Sequence, residues 1–308
     1  MKHLLNKIES LKERSFFGGM ILIISMIFMS IGNGFVHHLS NKYDAISILF
    51  YKSFFSLFVL MIVCPSFSAL KQSLYSSSLK YNLLRAIAGT CGSFLWIPSV
   101  QFLNLQDVSA LSLTSSLFSA VGGYFFLKEG KTFGKILCLI FGFLGAYIIL
   151  NPHFETKNWL YLLPIGSAFC FGMSAVLARY LTLKNQEYTT SLYLFLTMLF
   201  ISLPFGFVLP QTAYDGLILS IIGLLYGASQ ILYVKSYKYA QASYLANYKF
   251  LKVPFHALWG TLFFCEIPTL SALIGTLFII LAIFLTSNTY FRQIVQVFFN
   301  TIKKSFKN

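Results

Sequence analysis

Long apolar runs separated by short polar connections dominate the chain. Each run is about as long as the roughly 20 residues that an α-helix needs to cross the hydrocarbon core of a bilayer. The pattern therefore predicts an all-α polytopic membrane protein with ten transmembrane helices. Their approximate bounds are 17–39, 46–64, 83–103, 108–127, 133–151, 159–181, 189–209, 215–238, 243–264 and 270–288.

Polar segments flank and interrupt this array. Residues 1–16 are polar and weakly amphipathic, and no small-residue cleavage site follows the first span, so we expect an uncleaved first helix. The Ser-rich segment 65–82 is the longest connection. Residues 289–308 are basic and amphipathic, and we expect them to lie on the membrane surface as a cytoplasmic tail.

Composition supports the membrane assignment. The 308 residues are 57% hydrophobic and only 10% charged, whereas a soluble domain carries about 25% charged residues. A net charge of +14 would suggest nucleic acid in a soluble protein, but here the basic residues lie in short loops and tails. We therefore expect a lipid bilayer around the chain and no nucleic-acid partner. The five cysteines form no CxxC pair or metal pattern, so no metal or cofactor is expected.

The basic residues predict the orientation. Eighteen of the 23 lysines and arginines fall in the two tails and one alternate set of connections. The other set holds only Lys42 and Lys157, and three lysines lie inside spans. Because basic residues accumulate on the cytoplasmic side, both termini are predicted to be cytoplasmic, in the inner membrane of the cell.

The two halves of the chain look alike. The fourth and ninth spans each run from a small-polar entry to an aromatic-rich exit and a single Glu, and a Gly-containing apolar span follows each. An odd number of spans per half forces the copies into opposite orientations. We therefore expect two inverted five-helix repeats, residues 17–151 and 159–288, which is a plan typical of secondary transporters.

The ninth span carries charge into the membrane. On a continuous helix Lys249, Lys252 and His256 fall at i, i+3 and i+7, so they share one face. Lipid cannot solvate such a stripe, which favours a protein cavity. Pro254 removes a backbone donor and favours a kink nearby. The alternative is that the long lysine side chains reach up to the headgroups.

The lysines at mid-span have no acidic partner at their own depth. None of the nine acidic residues lies at mid-span, whereas Lys52, Lys249 and Lys252 do. A buried unpaired ammonium either loses its proton or finds an anion. The sequence therefore favours a substrate that bears a carboxylate or phosphate over a cationic drug.

Other polar and aromatic residues are weaker candidates for substrate binding. Trp96, Tyr226 and Gln230 could stack on or hydrogen-bond a planar solute, or could be ordinary packing residues. Asn33 lies between two glycines and could equally hold helices together. Glu129 and Glu266 end equivalent spans, where each could be a gate or an interfacial cap.

Several motifs resemble a known family. The segment LNLQDVSALSLTSSLFSAVGGYFFLKE is similar to the fourth-helix signature of EamA-type members of the drug/metabolite transporter superfamily. Asp107 and Glu129 hold its ends, and Ser116 stands where the family often has Pro. The segment YAQASYLANYKFLKVPFHALWGTLFFCE resembles the second-half pattern, with Asn247 in place of the usual Pro and Lys252 where Glu is frequent.

The resemblance covers residues 17 to 288 and includes three further basic positions. Arg85 and Arg179 match habitual basic positions of the family, and Lys52 replaces an Arg. The family implies a ten-helix inverted repeat whose cavity is lined by helices one to four and six to nine, with the fifth and tenth outside. Members export or exchange small solutes, and one branch exchanges S-adenosylmethionine.

Secondary transport by alternating access is the function that these features favour. The substrate would be a small polar metabolite, an S-adenosylmethionine-type solute is the alternative, and a homodimer is a further candidate partner. A membrane enzyme or a scaffold is less favoured, because the sequence has no HExxH or GxSxG constellation and a scaffold needs no intramembrane lysines. It has no P-loop for ATP coupling either.

The charge asymmetry makes a topology prediction. Reporter fusions after Lys184 and Lys307 should report the cytoplasm, and fusions after Lys42 and Lys157 the opposite side, because basic loops stay inside. Paired alkaline phosphatase and fluorescent-protein fusions at the four positions measure this. A periplasmic signal from the Lys307 fusion would contradict the ten-span arrangement.

Overall fold

The chain folds into a bundle of α-helices, seen in a computed structural model, and the described part contains no β-strand. The described residues are 2–39, 42–75, 78–103, 108, 111–129, 133–150, 159–184, 186–255, 258 and 270–287. Their helices are α1 (Lys2–Leu39), α2 (Ala45–Val63), α3 (Phe67–Ser73), α4 (Leu79–Phe102), α5 (Thr114–Leu127), α6 (Phe133–Leu150), α7 (Leu162–Thr182), α8 (Glu187–Gly206), α9 (Ala213–Tyr239), α10 (Ala242–Tyr248) and α11 (Leu270–Ser287).

The helices follow the predicted spans with three differences. Helix α1 begins at Lys2, so the predicted N-terminal segment continues the first span without a break. The Ser-rich connection contains α3, which the sequence analysis missed; the Ser66 hydroxyl caps it by accepting a bond from the Ala69 amide at 3.2 Å. Short 3₁₀ turns at Trp159–Tyr161 and Lys249–Leu251 precede α7 and follow α10.

Five of the described helical stretches are long and apolar enough to cross a membrane, and the count of ten spans stays a prediction. Asp107, His256, Glu266, residues 151–158 and the tail 289–308 lie outside the described residues. The five stretches are Glu13–Leu39, Ala45–Val63, Leu79–Phe102, Trp159–Thr182 and Ala213–Tyr239.

The ninth predicted span is not the continuous α-helix that was expected. Helix α10 ends at Tyr248, the 3₁₀ turn Lys249–Leu251 follows, and residues 252–255 are α-helical again. Pro254 has no N–H to offer to the carbonyl of Phe250, four residues earlier, so the α-helical bonding pattern is interrupted there. The tighter turn falls at the lysine-bearing stretch.

The helices pack as two groups joined by a central pair. Helix α1 lies along α9 in one group, and α7 packs against both α4 and α5 in the other. Helices α2 and α8 contact each other, and α2 also packs on α9 while α8 packs on α4. Helices α6 and α11 pack against each other, and α10 contacts α5, α1 and α6.

Small residues allow α2 and α9 to approach closely. The Ser56 hydroxyl donates to the Gly223 carbonyl at 2.9 Å. A Cβ added at Gly223 would lie 2.5 Å from the Phe55 Cβ and 2.8 Å from the Tyr51 carbonyl oxygen. Close backbone approach at small residues is how helices associate in a bilayer, where no hydrophobic drive brings them together.

Two arginines that the charge count grouped with the connections lie inside helices, near the ends of the predicted spans 83–103 and 159–181. Arg85 is in α4 and only 1% exposed, and its Nη1 donates to the Thr190 carbonyl of α8 at 2.8 Å. Arg179 lies in the last turn of α7 and donates to the Tyr237 carbonyl of α9. These side chains therefore join helices, and the charge asymmetry between the two sets of connections does not depend on them.

A buried ion pair ties the α1–α2 connection to the start of α9. The side chain of Asp215 is fully buried, and Lys42 Nζ lies 3.1 Å from its Oδ1. The Tyr43 hydroxyl donates to Asp215 Oδ2 at 3.3 Å and accepts from the Gln211 amide at 2.8 Å. The loop lysine thus has an acidic partner, whereas no ion pair is found for the three lysines inside spans among the described residues.

The contact between α2 and α9 generates a stability prediction. Gly223→Ala should lower the free energy of unfolding by about 1–3 kcal/mol, because the added methyl group overpacks a backbone contact. Gly34→Ala is the matched control, since a Cβ there meets nothing within 4 Å. Thermal unfolding midpoints in detergent compare the two variants, and equal midpoints would contradict the packing described.

Candidate functional site

A central cavity lies among the helices. Its empty volume is about 1040 Å³, including space open to solvent. Helices α1, α2, α4, α5, α7, α8 and α9 contribute to its wall, together with residues just before α5 and just after α10. None of its described lining residues comes from α6 or α11, the pair that the family resemblance expected outside the cavity.

The cavity collects the residues that the sequence analysis singled out. Seven of the eight predicted site residues line it, although their role in binding remains a prediction. The eighth, His256, lies outside the described residues. The seven are Asn33, Lys52, Trp96, Tyr226, Gln230, Lys249 and Lys252.

Lys52 enters the cavity from α2. Its side chain is buried, and its Nζ lies 3.9 Å from the centroid of the Tyr226 ring on α9. An ammonium over an aromatic face is attracted by the quadrupole of the ring, which partly replaces lost hydration. The arrangement places a cation and an aromatic ring in the wall of the same cavity.

Lys249 and Lys252 follow α10 and also face the cavity. Lys252 Nζ lies 5.6 Å from the centroid of the Trp96 ring of α4. Lys249 is only 7% exposed, and its Nζ donates to the Ser119 hydroxyl of α5 at 3.3 Å. Its Nζ is also 5.9 Å from the Tyr233 ring. Both side chains point into the cavity, which is the direction that the cavity interpretation expects, and their role stays a prediction.

No carboxylate balances these lysines in the described part of the cavity wall. None of the described lining residues is Asp or Glu. The ion pairs found among the described residues are Lys42–Asp215 and Lys238–Glu187, both away from the cavity. Lys52 and Lys252 are near enough to repel each other. The cavity therefore concentrates positive charge, which an anionic ligand would neutralise.

The structure adds residues that sequence reasoning missed. Tyr233 lines the cavity, and its spacing from Tyr226 and Gln230 (i, i+4, i+7) puts all three on one face of α9, a signal that the sequence did contain. Hydroxyl and apolar groups complete the wall without a distinguishing sequence signal, since Ser, Met and Phe recur throughout the chain. They include Met26, Met29, Ser93, Ser112, Phe171 and Ser174.

One lining amide nitrogen has no hydrogen-bond partner among the described residues. Asn33 is 9% exposed, and its Nδ2 makes no hydrogen bond. A buried unsatisfied donor costs about 1–3 kcal/mol. Because this donor faces the cavity, a ligand oxygen or water there would satisfy it.

Glu129 lies away from the cavity, as a cap on α10. Its carboxylate accepts bonds from the amides of Ala242 and Ser243, both at 2.9 Å, and from the Ser243 hydroxyl at 2.5 Å. Glu129 therefore makes the contacts of a helix cap, and these contacts leave the gate interpretation untested. Its predicted counterpart Glu266 lies outside the described residues.

Comparison with known proteins gives one family over nearly the whole chain. The model of the EamA-like transporter family matches residues 16–151 and again residues 158–288. A riboflavin transporter of Vibrio cholerae is 27% identical over 231 residues, which are 73% of this chain and 77% of that protein. An S-adenosylmethionine uptake transporter of Rickettsia bellii is 24% identical over 260 residues, 84% of this chain and 89% of that protein.

A solved crystal structure shares the fold. It superposes with a TM-score of 0.70 over 91% of this chain and 98% of its own, at 12% sequence identity. The likeness shows a common arrangement of helices and carries no information on the solute.

The unpaired cavity charge generates a prediction on stability. Lys52→Met should raise the thermal unfolding midpoint of the ligand-free protein by about 2–4 °C, because it removes a buried cation that lacks a described carboxylate partner. Lys42→Met is the control and should instead lower the midpoint, since it removes the cation that pairs with the Asp215 carboxylate. Thermal scans of the purified variants in one detergent measure both. Destabilisation by Lys52→Met to the same extent as by Lys42→Met would contradict an uncompensated charge.

Proposed function

The chain belongs to the EamA-like transporter family, and from this premise we propose that it moves a small anionic metabolite through the central cavity by alternating access. The relatives named above are transporters and not enzymes. The protein is thus a multi-pass membrane protein that carries a small metabolite. The anionic character of the solute is the part that we infer.

One observation carries this inference. Lys52, Lys249 and Lys252 all face one cavity, and no described lining residue is acidic. Burying several like charges without a counter-ion is costly, so the site is stabilised when a carboxylate or phosphate enters. Lys252 is the anion anchor, Lys249 assists it, and Lys52 contributes from the opposite wall.

The aromatic walls favour a solute with a planar ring. Trp96 and Tyr226 lie beside two of the ammonium groups, and Tyr233 beside the third. A heterocycle can stack on such rings while its acidic group meets the lysines. Gln230 and the unpartnered Asn33 amide supply hydrogen bonds to the polar edge of the ring.

The relatives name two solutes that contain planar rings, riboflavin and S-adenosylmethionine. S-adenosylmethionine has a carboxylate that the lysines could hold, but the sulfonium and amino groups of the same molecule carry positive charge that they would repel. It remains the alternative solute. A ring compound with a carboxylate or phosphate fits the cavity charge better.

Two inverted five-helix repeats, residues 17–151 and 159–288, are the architecture that we propose for this cycle. The two matches of the family model support this division. The helix contacts support it too, because exchanging the halves maps the α1–α9 contact onto α7–α4 and the α2–α9 contact onto α8–α4. The α2–α8 and α6–α11 contacts map onto themselves. Rocking of the two groups around the cavity then exposes it to one side at a time.

Charge on the solute can be tested with a matched pair of ligands. Purified protein in proteoliposomes should take up flavin mononucleotide, or another ring compound with a phosphate or carboxylate, in preference to uncharged riboflavin. S-adenosylmethionine is the third arm. Preference for riboflavin or S-adenosylmethionine over every anionic compound would contradict an anion site.

Lys252 provides the matching variants. Lys252→Gln should weaken binding of the anionic solute by about 1.5–3 kcal/mol, the value of a lost charge-assisted hydrogen bond. Lys252→Glu should nearly abolish binding, because it reverses the local charge. The exposed Lys80 at the start of α4 gives the control Lys80→Gln. Equilibrium binding by the folded variants decides, and wild-type affinity in both Lys252 variants would rule out an anion anchor.

A further inference from the structure

Glu129 lies at an end of the bundle that is tightly closed. We call it the Glu129 end, meaning the place where α5 and α7 finish, α9 ends and α10 begins. Small residues fill it, among them Ala178 of α7 and Ala240 and Ala242 around the α9–α10 turn, each at most 2% exposed. The described helix ends are therefore packed closely together here.

The chain turns back at Lys128 and so places the Glu129 carboxylate at the Glu129 end. Lys128 adopts the left-handed conformation with φ of 51°, and the Glu129 amide bonds to the Gly123 carbonyl at 3.2 Å, which ends α5. A Cβ on Gly123 would lie 3.0 Å from Glu129 Oε2, so the glycine leaves room for the carboxylate. Glu129 is only 7% exposed, and its carboxylate oxygens accept hydrogen bonds from Ala242 and Ser243.

A second polar contact crosses the same boundary. Arg179, at the end of α7, donates to the carbonyls of Tyr237 and Lys238 at the end of α9. Its guanidinium is also attracted electrostatically by Glu129. Glu129 and Arg179 thus join α5 and α7 of one helix group to the α9–α10 corner, and α9 belongs to the other group.

We propose that Glu129 is the positioning residue that holds the Glu129 end closed, and that its bonds to α10 break and re-form in each transport cycle. This rests on the alternating access proposed above. For the cavity to open at this end, the α9–α10 corner must move away from α5 and α7. The three hydrogen bonds of Glu129 lie across that separation.

The physical reason is that these hydrogen bonds stabilise the closed state more than the open state. In the closed state the Ala242 and Ser243 amides are buried, and without the carboxylate they would be left unsatisfied. In the open state water reaches them and replaces the carboxylate. Removing the carboxylate therefore penalises the closed state alone and shifts the population toward opening. A cap needed equally in both states would lower stability without such a shift.

The chain connects this corner to the binding residues. Ser243 is six residues before Lys249, which is roughly 9 Å along a helix. Lys249 itself donates to the Ser119 hydroxyl of α5. Opening at Glu129 therefore also pulls at a lysine of the cavity, which links closure to occupancy of the site.

Accessibility from each side of the membrane tests the proposal without a known solute. Ser174, which lines the cavity, is changed to Cys in a background whose five native cysteines are replaced. A membrane-impermeant maleimide is applied to vesicles of both orientations. Glu129→Ala should raise the labelling rate from the Glu129 side roughly tenfold, since two buried amides lose their acceptor in the closed state only. Labelling from the other side should fall.

Matched variants separate a gate from a general structural role. Glu187→Ala removes a partly exposed ion pair with Lys238 at the same end and should leave the labelling of both sides unchanged. Glu129→Gln and Ser243→Ala remove part of the network and should give intermediate rates. These two variants carry the test if Glu129→Ala does not fold.

The outcomes distinguish this proposal from the proposed function. Unchanged labelling in folded Glu129 variants, with wild-type protein transporting a solute, overturns the gate alone. A rise in labelling from the Glu129 side supports the gate even if no anionic compound is transported, in which case the substrate assignment falls. A rise of the same size in Glu187→Ala would also overturn a specific role for Glu129.

Discussion

The cost of burying positive charge is the constraint on which this structure depends. Three lysines project into the interior of an apolar helix bundle, where hydration is largely lost and no described carboxylate compensates for it. The aromatic rings beside each ammonium offset part of this cost. In the function proposed above, the remaining cost of burying the lysines would drive the binding of an anion.

The helix packing makes this cavity by leaving its centre unfilled. Close contacts at Gly223 and Gly227 hold α2 against α9, while the interruption at Lys249–Leu251 turns the lysine-bearing stretch after α10. The interruption follows from Pro254, whose missing N–H frees a carbonyl four residues earlier. Irregular backbone at membrane depth is tolerated where it is buried in protein or lines a cavity, and here it lies beside one.

The sequence predicted an all-helical membrane protein and singled out the three lysines that line the cavity, because length, apolarity and intramembrane charge are local properties. The count of ten spans and the role of the lysines stay predictions. It could not predict the role of Arg85, which hydropathy placed at a membrane edge, since its partner Thr190 is about a hundred residues away. Glu129 was ambiguous for a similar reason: only the fold brings the Ala242 amide to its carboxylate. Tyr233 was readable from its spacing with Tyr226 but not distinguishable among so many aromatic residues.

The described acidic residues lie away from the cavity lysines. A carboxylate on the cavity wall would neutralise the lysines and remove their selectivity for an anion. Glu129 is instead held at the Glu129 end. There its carboxylate accepts hydrogen bonds from two amides and a hydroxyl and is attracted by Arg179. Its oxygens are therefore not free to compete with a solute for Lys249, which bonds the neutral hydroxyl of Ser119. In the function and the gate proposed above, separating the acid from the bases would let one part of the chain close the cavity while another binds the solute.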